Sequence, residues 1–351
     1  MDIIVQIFGV IAGFSFLIFV HEFGHFLIAK MCKIRILTFA FGFGPDVIKY
    51  VYKDTKYCLK SIPLGGFVEM AGENPQEITG ASGEYLSLQW YKKIFISLAG
   101  SISNYIMAFL FFIFIFNTWG VSTISTDCSI GSVVENYPAA IAGLKPKDKI
   151  LSVNGININT WDDLVVNLKD KVNRKISFVV RRGDSTFALN MIVVKNPETR
   201  TGVIGVNPAI IKEKVRLLKS AYLGAKFLIF QTTRTIVYLA NKIISLEKPD
   251  VTGPIGVLQV MLSATKAGMQ NYLSFIALVS VALGLFNLFP LPLLDGGMVV
   301  LLFIEGIIGK KMSTNFTKIY NIVGLVFIIS VFLFVTYNDF LKLGVCNLFK
   351  E

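Results

Sequence analysis

The chain has 351 residues, 54% of them hydrophobic and only 16% charged, with a formal net charge of +11. About 25% charged residues is usual in a soluble domain, so a wholly soluble protein is excluded and a polytopic α-helical membrane protein with at least one polar domain is expected. The surplus Lys and Arg are scattered between apolar runs without aromatic–basic interleaving, which excludes a nucleic-acid binder and points to helix flanks beside an anionic lipid membrane.

The four cysteines, Cys32, Cys58, Cys128 and Cys346, form no CxxC pair and no closely spaced framework. A structural zinc knot or disulfide scaffold is therefore not expected. Residues 3–20 carry no charge and open a first span over about 3–28. This segment has no clear basic n-region and no small-residue cleavage site, so it reads as a retained span. Gly9 and Gly13 give it a small-xxx-small face for close helix packing. At its end stand both histidines of the chain, in His21-Glu22-Phe23-Gly24-His25. Four residues apart on a helix, His21 and His25 share a face. This is the HExxH arrangement, in which two imidazoles hold Zn²⁺ and the glutamate activates water. The pattern also arises by chance on exposed soluble helices. Here it closes a charge-free span, where such a face is costly to bury without a function.

Residues 29–93 are polar, with a Gly/Phe-rich piece at Phe39–Pro45 that cannot be a steady helix. Weak alternation over 47–53 and 57–62 and the turn Pro63-Leu64-Gly65-Gly66-Phe67-Val68 make 36–70 a β-loop, lying against or dipping into the membrane. Non-helical backbone at that depth needs protein or water around it, so the loop should pack on the histidine helix. An ordinary cytoplasmic hairpin is the plainer alternative. A second span covers about 94–116 and contains Ala99-Gly100-Ser101-Ile102-Ser103-Asn104. Asn104 should face another helix or the site.

Residues 119–207 read as a small α/β domain: a strand at Lys149–Val153, the turn Asn154-Gly155, a helix Thr160–Leu168 capped by Thr160, and a hairpin over 176–193. Leu217–Ile244 is apolar but carries Lys219, Lys226, Arg234 and Lys242, which fits an interfacial amphipathic helix better than a span. Thr252–Gly256 breaks the chain before a short apolar stretch, 257–265. A third span, about 271–289, ends in Asn287-Leu288-Phe289-Pro290-Leu291-Pro292-Leu293-Leu294-Asp295-Gly296-Gly297, whose prolines and glycines break the helix. A fourth covers about 319–337. The domain plan is 1–118 for an N-terminal membrane core, 119–207 for the polar domain, 208–265 for the amphipathic helix and connector, and 266–351 for a C-terminal membrane core.

Residues 29–93 hold nine Lys/Arg against six Asp/Glu, and Lys310, Lys311 and Lys318 outnumber Glu305 between spans three and four. Both connections read as cytoplasmic, which puts 119–207 and both termini outside. His21, His25 and Asp295 then fall at one membrane depth, on the cytoplasmic side. Asp295, the first charge after a run that is uncharged from Asn271 to Leu294, is the natural third ligand of a His₂Asp site with a water in the fourth position. Glu22 would take the water proton and pass it to the leaving amine. A substrate helix must unwind locally, and an edge strand from 57–70 could pair with it. Asn104 or Asn287 could bind the substrate or its oxyanion.

On the motifs Val20–Phe26, Gly42–Pro45, Pro63–Val68 and Asn287–Gly297 the sequence resembles the site-2 proteases, specifically the bacterial RseP-type intramembrane zinc metalloproteases. The resemblance implies zinc held by His21, His25 and Asp295, catalysis by Glu22, and a β-loop with Gly65, Gly66 and Phe67 that helps hold substrate. It implies single-span membrane protein substrates, such as anti-sigma factors or signal-peptide remnants. A site-1-type protease would trim them first, as regulated intramembrane proteolysis requires. It also implies location in the bacterial cytoplasmic (inner) membrane. Ala139–Ile150 and Val153-Asn154-Gly155 resemble a PDZ domain, in one copy on the periplasmic side. Two positions depart from the family pattern. Lys147 replaces the usual glycine before Asp148, and Ser101 the usual proline after Gly100; neither is expected to touch a metal ligand. The alternative class is a catalytically idle PDZ-containing membrane scaffold or chaperone. An ion transporter with its site at Asn287–Asp295 would leave HExxH unexplained, and no inverted repeat is seen.

Overall fold

A computed structural model describes residues 3–74, 78–196, 200–247 and 252–342; Cys346 and the rest of 343–351 lie outside the described residues. The chain divides into two compact units: Met1–Asn117 with Arg216–Glu351, and Thr118–Val215.

The first unit begins with α1, Ile3–Met31. Its 29 residues span about 43 Å at 1.5 Å each, longer than the roughly 30 Å hydrocarbon core of a bilayer. Large apolar side chains such as Ile4, Phe8 and Leu27 are exposed on it, as suits lipid and not water. Next come β1, Ile36–Tyr52, and β2, Thr55–Met70, which pair antiparallel. Thr38–Phe41 have two sets of partners on β2: Gly66–Glu69 with numbering opposed, and Lys56–Leu59 with numbering in step. A ribbon can meet itself this way only by folding back. Gly42 and Gly44 (φ 94° and 88°) supply the bend, in a region of backbone space that a Cβ disfavours. The ribbon packs on α1. α2, Trp90–Trp119, buries Ser97, Gly100, Ser101, Asn104, Ala108 and Phe112, a stripe at helical spacing.

The second unit contains β3 (Val121–Ile124), β4 (Ile130–Val133), α3 (Pro138–Ile141), β5 (Lys149–Val153), β6 (Ile156–Asn157), α4 (Trp161–Leu168), β7 (Lys175–Arg182), β8 (Ser185–Ile192), β9 (Val194–Lys195), β10 (Gly202–Val203), β11 (Val206–Pro208) and β12 (Ile210–Glu213). An antiparallel sheet in the order β6-β5-β7-β8 covers a core that includes Ile150, Val153, Leu164, Phe178 and Val180. Thr160 caps α4 in a capping box with Asp163. The sequence places the end of this domain at 207. The structure carries it further, because β12 pairs with β3 and closes the unit on its own first strand.

The chain then returns to the first unit with α5 (Leu217–Ile244), α6 (Pro254–Lys266), α7 (Met269–Asn287), α8 (Asp295–Ile308) and α9 (Thr314–Lys342). Gly9 and Gly13 of α1 admit α6 and α7: a Cβ at Gly13 would press on Met261, Ile276 and Tyr272, and Tyr272 Oη donates to Gly9 O at 2.7 Å. The charges of α5 suggested a helix lying in the membrane interface. The structure sets it along α2 in the opposite sense, with Gly224 beside Phe112 and Ile113, Phe227 against Phe112 and Phe116, and Thr232 Oγ1 3.2 Å from Tyr105 Oη. Ser220, Gly224 and Leu228 form its buried stripe, whose small residues let two helices approach. α8 was not anticipated as a separate element. Among the described residues, four helices, 4–31, 90–119, 269–287 and 314–342, are long and apolar enough to cross a membrane.

Candidate active site and metal centre

The predicted motif falls on the last turns of α1. His21 and His25 present their Nε2 atoms 3.3 Å apart. Asp295 arrives from the other end of the first unit as the first residue of α8. Its Oδ2 lies 3.4 Å from His21 Nε2 and its Oδ1 3.5 Å from His25 Nε2. The break after α7 makes this possible. A Cβ at Gly296 or Gly297 would run into the carbonyls of Leu288 or Leu291, so the paired glycines let the Phe289–Leu294 loop fold tightly over the start of α8.

This donor set fits zinc. Bonds of about 2.0–2.1 Å in tetrahedral array place neighbouring donors about 3.3–3.4 Å apart, close to the separation of the two imidazole nitrogens and to the distance from each to its nearer Asp295 oxygen. The ring nitrogens facing away agree. His25 Nδ1 is 2.7 Å from Ile96 O, a carbonyl that can only accept, so Nδ1 carries the proton and Nε2 turns a lone pair to the centre. His21 Nδ1 is 3.1 Å from the Asn104 side-chain amide, whose Oδ1 is buried without a hydrogen-bond partner. A half-turn of that amide gives Oδ1 the His21 Nδ1–H and leaves His21 Nε2 free as a ligand. Three electron-pair donors meet at one place, and among the described residues no Lys or Arg pairs with Asp295.

α2 lies behind all three. Ile96 O supports His25, Asn104 supports His21, and Ser101 Oγ donates to Asp295 Oδ2 at 3.1 Å. Gly100 stands between them. A Cβ there would collide with His25 Nε2 and sit 2.7 Å from His21 Cε1, so only glycine lets the backbone of α2 come this close. Gly24, inside the motif, does the same from the other side, against Ala99 and Ser103.

Glu22 turns away from the α2 side toward the β-ribbon. A Cβ on Gly66 would lie 3.1 Å from Glu22 Cγ. A cavity of about 270 Å³ opens here, lined by Glu22, His25 and Asp295 together with Val68, Met70, Ile96, Met298 and Leu301. Glu22 is placed to reach a water held beside the metal donors.

The substrate-positioning expectations divide. Asn287, the last residue of α7, puts Nδ2 3.3 Å from His21 Nε2 and is partly exposed. Asn104 has no exposed surface and stands behind His21, so a substrate does not reach it. Of Gly65, Gly66 and Phe67, it is Gly66 that the structure sets against Glu22. Successive strand residues point to opposite sides: Gly65 packs under the Phe43 ring, and Phe67 lies beneath the Lys60 ammonium at 5.8 Å. The sequence leads one to expect no contact between Ser101 and a metal ligand, yet its hydroxyl bonds Asp295. Its signal is a hydroxyl three residues before Asn104 on the buried stripe of α2, in the part of that helix beyond Lys93 that carries no charge.

Two imidazoles, a carboxylate and an adjacent glutamate, brought together on apolar helices, define a metal-dependent peptidase in a membrane protein. Residues 9–331 match the family model described as peptidase family M50, and the chain belongs to that family: it is a zinc metalloendopeptidase. It is 32% identical to a putative zinc metalloprotease of Clostridium perfringens, over 95% of this chain and 97% of the relative. It is 27% identical to the regulator of sigma-W protease RasP of Bacillus subtilis, over 94% and 97%. Among solved structures, the PDZ domain of the SdrC-like protein of Listeria monocytogenes covers 25% of this chain and 93% of its own, with 19% identity and a TM-score of 0.22.

Proposed function

We propose that the protein cleaves peptide bonds within the transmembrane segments of single-span membrane proteins. The carrying observation is the convergence at zinc spacing of His21 and His25, on a helix apolar enough to span a bilayer, with Asp295 at the start of the short apolar helix α8. His21, His25 and Asp295 hold the metal, and Glu22 is the general base. Zinc, when bound, polarises the scissile carbonyl and acidifies water at the open position.

Glu22 takes a proton from the attacking water as its oxygen bonds the carbonyl carbon. The same carboxyl then returns a proton to the amide nitrogen as the C–N bond breaks. Asn287 Nδ2 donates to the carbonyl oxygen as negative charge develops there. Asn104 and the Ile96 carbonyl hold the imidazoles in the tautomer that the metal requires. The substrate main chain, unwound from its helix, lies along the Gly66–Met70 stretch of β2, where Val68 and Met70 already line the cavity. The apolar walls keep bulk water from the reacting groups.

The charge pattern supports a site toward the cytoplasmic face of a bacterial inner membrane, with a PDZ-like unit at 118–215 outside. The substrates are single-span proteins already shortened outside by another protease, anti-sigma-factor-like proteins or signal-peptide remnants among them.

The test is cleavage of a single-span substrate reconstituted in vesicles with the protein. Glu22→Gln should retain zinc and lose roughly 10²–10⁴-fold in rate, the range for a removed general base. Equal rates for wild type and Glu22→Gln would sink the reading.

A further inference from the structure

Ser101 sits in the middle of α2 with no exposed surface. The ordinary fate of a helical hydroxyl in apolar surroundings is a bond to the carbonyl four residues back. This protein follows that habit repeatedly. Thr235 donates to Gln231 O at 2.9 Å, Ser274 to Gln270 O at 2.7 Å and Ser330 to Val326 O at 2.7 Å. Ser101 does not. Its one proton goes across the helix seam to Asp295 Oδ2, 194 residues away in sequence.

The consequence lies in the carboxylate. Both oxygens of Asp295 face imidazole nitrogens, Oδ2 toward His21 and Oδ1 toward His25. Two equivalent oxygens allow a metal to be gripped by one or by both. A hydroxyl hydrogen on Oδ2 occupies one of its lone pairs and lowers its donor strength, while Oδ1 is untouched. A second grip would fill coordination space that the water and the scissile carbonyl need. Proline, the residue that the family resemblance implies at this position, has no hydroxyl and cannot act in this way.

We infer that Ser101 is a positioning residue for Asp295, holding Oδ2 so that the carboxylate binds zinc through Oδ1 alone and the remaining position stays open. This rests on the metal site proposed above. Outer partners of this kind typically alter metal affinity 10–100-fold.

The experiment uses the full-length protein in detergent. Zinc affinity is measured by chelator competition for wild type, Ser101→Ala and Ser101→Thr. The visible d–d absorption of each cobalt(II)-substituted form is recorded as well, since it weakens when coordination rises from four to five. Ser101→Ala removes only the hydroxyl oxygen and leaves the helix intact. It should weaken zinc binding about 10-fold or more and weaken the cobalt band, with Ser101→Thr restoring both. An unchanged cobalt band in Ser101→Ala overturns the inference even if affinity falls, because the loss then comes from packing between α2 and α8. Unchanged affinity and spectrum overturn it directly. A wild-type protein that takes up no stoichiometric zinc would instead refute the metal site, a different failure that this experiment reads separately.

Discussion

Asp295 and Asp148 are both carboxylates withdrawn from solvent, and their surroundings differ in one decisive way. Asp148, 1% exposed, accepts 2.7 Å bonds from Arg182 Nε and Nη2 and a 2.8 Å bond from Lys145 N. Its charge is answered by a guanidinium fork, and the pair is complete. Asp295 is met by one hydroxyl and two imidazole nitrogens turned toward it as acceptors. A site of that kind is stable only with a cation in it. Two carboxylates withdrawn from solvent thus separate into a structural and a functional one by whether the protein supplies the opposite charge itself.

The largest expected effect comes from closing the space at Asp295 while leaving every donor in place. Gly100→Ala puts a methyl group against His25 Nε2 and His21. Zinc content, read by elemental analysis of purified protein, should drop from about one per chain to near zero, with affinity lowered at least about 100-fold. Full zinc occupancy in this variant would break the contrast, because the space between the imidazoles would not be the metal's.

The next effect is on Asp148. Asp148→Ala leaves zinc content unchanged and costs about 2–4 kcal/mol of stability in the 118–215 unit, since the bonds lost are charge-assisted. Hydrogen exchange of β5 and β7 in the full chain measures it. Acid should act at the same place. Side-chain bonds from Arg182 hold the Asp148 carboxyl below its ordinary value, and the Thr160 backbone N–H does the same for Asp163. For depressed carboxyls the stabilisation is fully present above the unfolded value, near 3.9, and is lost as pH falls through the lower folded value. Protection in this unit should therefore decline below about pH 4. Protection that is independent of pH there would remove the Asp148–Arg182 pair from the account.

What was legible in the sequence depended on the range of the physics involved. His21, Glu22 and His25 are fixed by helical period within one turn. Asp295 stood out because the run before it carries no charge. Thr160 as a cap and the strand Lys149–Val153 followed from local pattern. The β-ribbon was visible as strands, but its double pairing was not, because Gly42 and Gly44 set a bend whose partners lie elsewhere on the ribbon. Asn104 was recognised as a buried polar group, yet its partner could not be chosen from sequence. α5 was judged by its charges, whereas Ser220, Gly224 and Leu228 decide what it packs against. Ser101 was passed over because its partner is 194 residues distant, beyond any periodic signal.

The smallest expected effect concerns how the chain reaches Asp148. Lys147, just before it, has φ 75°, a left-handed conformation that costs an ordinary L-residue about 1–2 kcal/mol. The turn is needed because Lys147 N donates to Ile130 O at 2.7 Å, tying the loop to β4. The family pattern has glycine at this position, and glycine adopts the conformation without the Cβ penalty, at some entropic cost in the unfolded chain. Lys147→Gly should stabilise the 118–215 unit by about 0.5–1 kcal/mol, read as slower hydrogen exchange at β4 and β5. Lys147→Ala separates the two contributions: it removes the charge but keeps the Cβ, so it should leave the unit close to wild type. If alanine stabilised as much as glycine, the Lys147 charge and not its backbone would be the source of the strain.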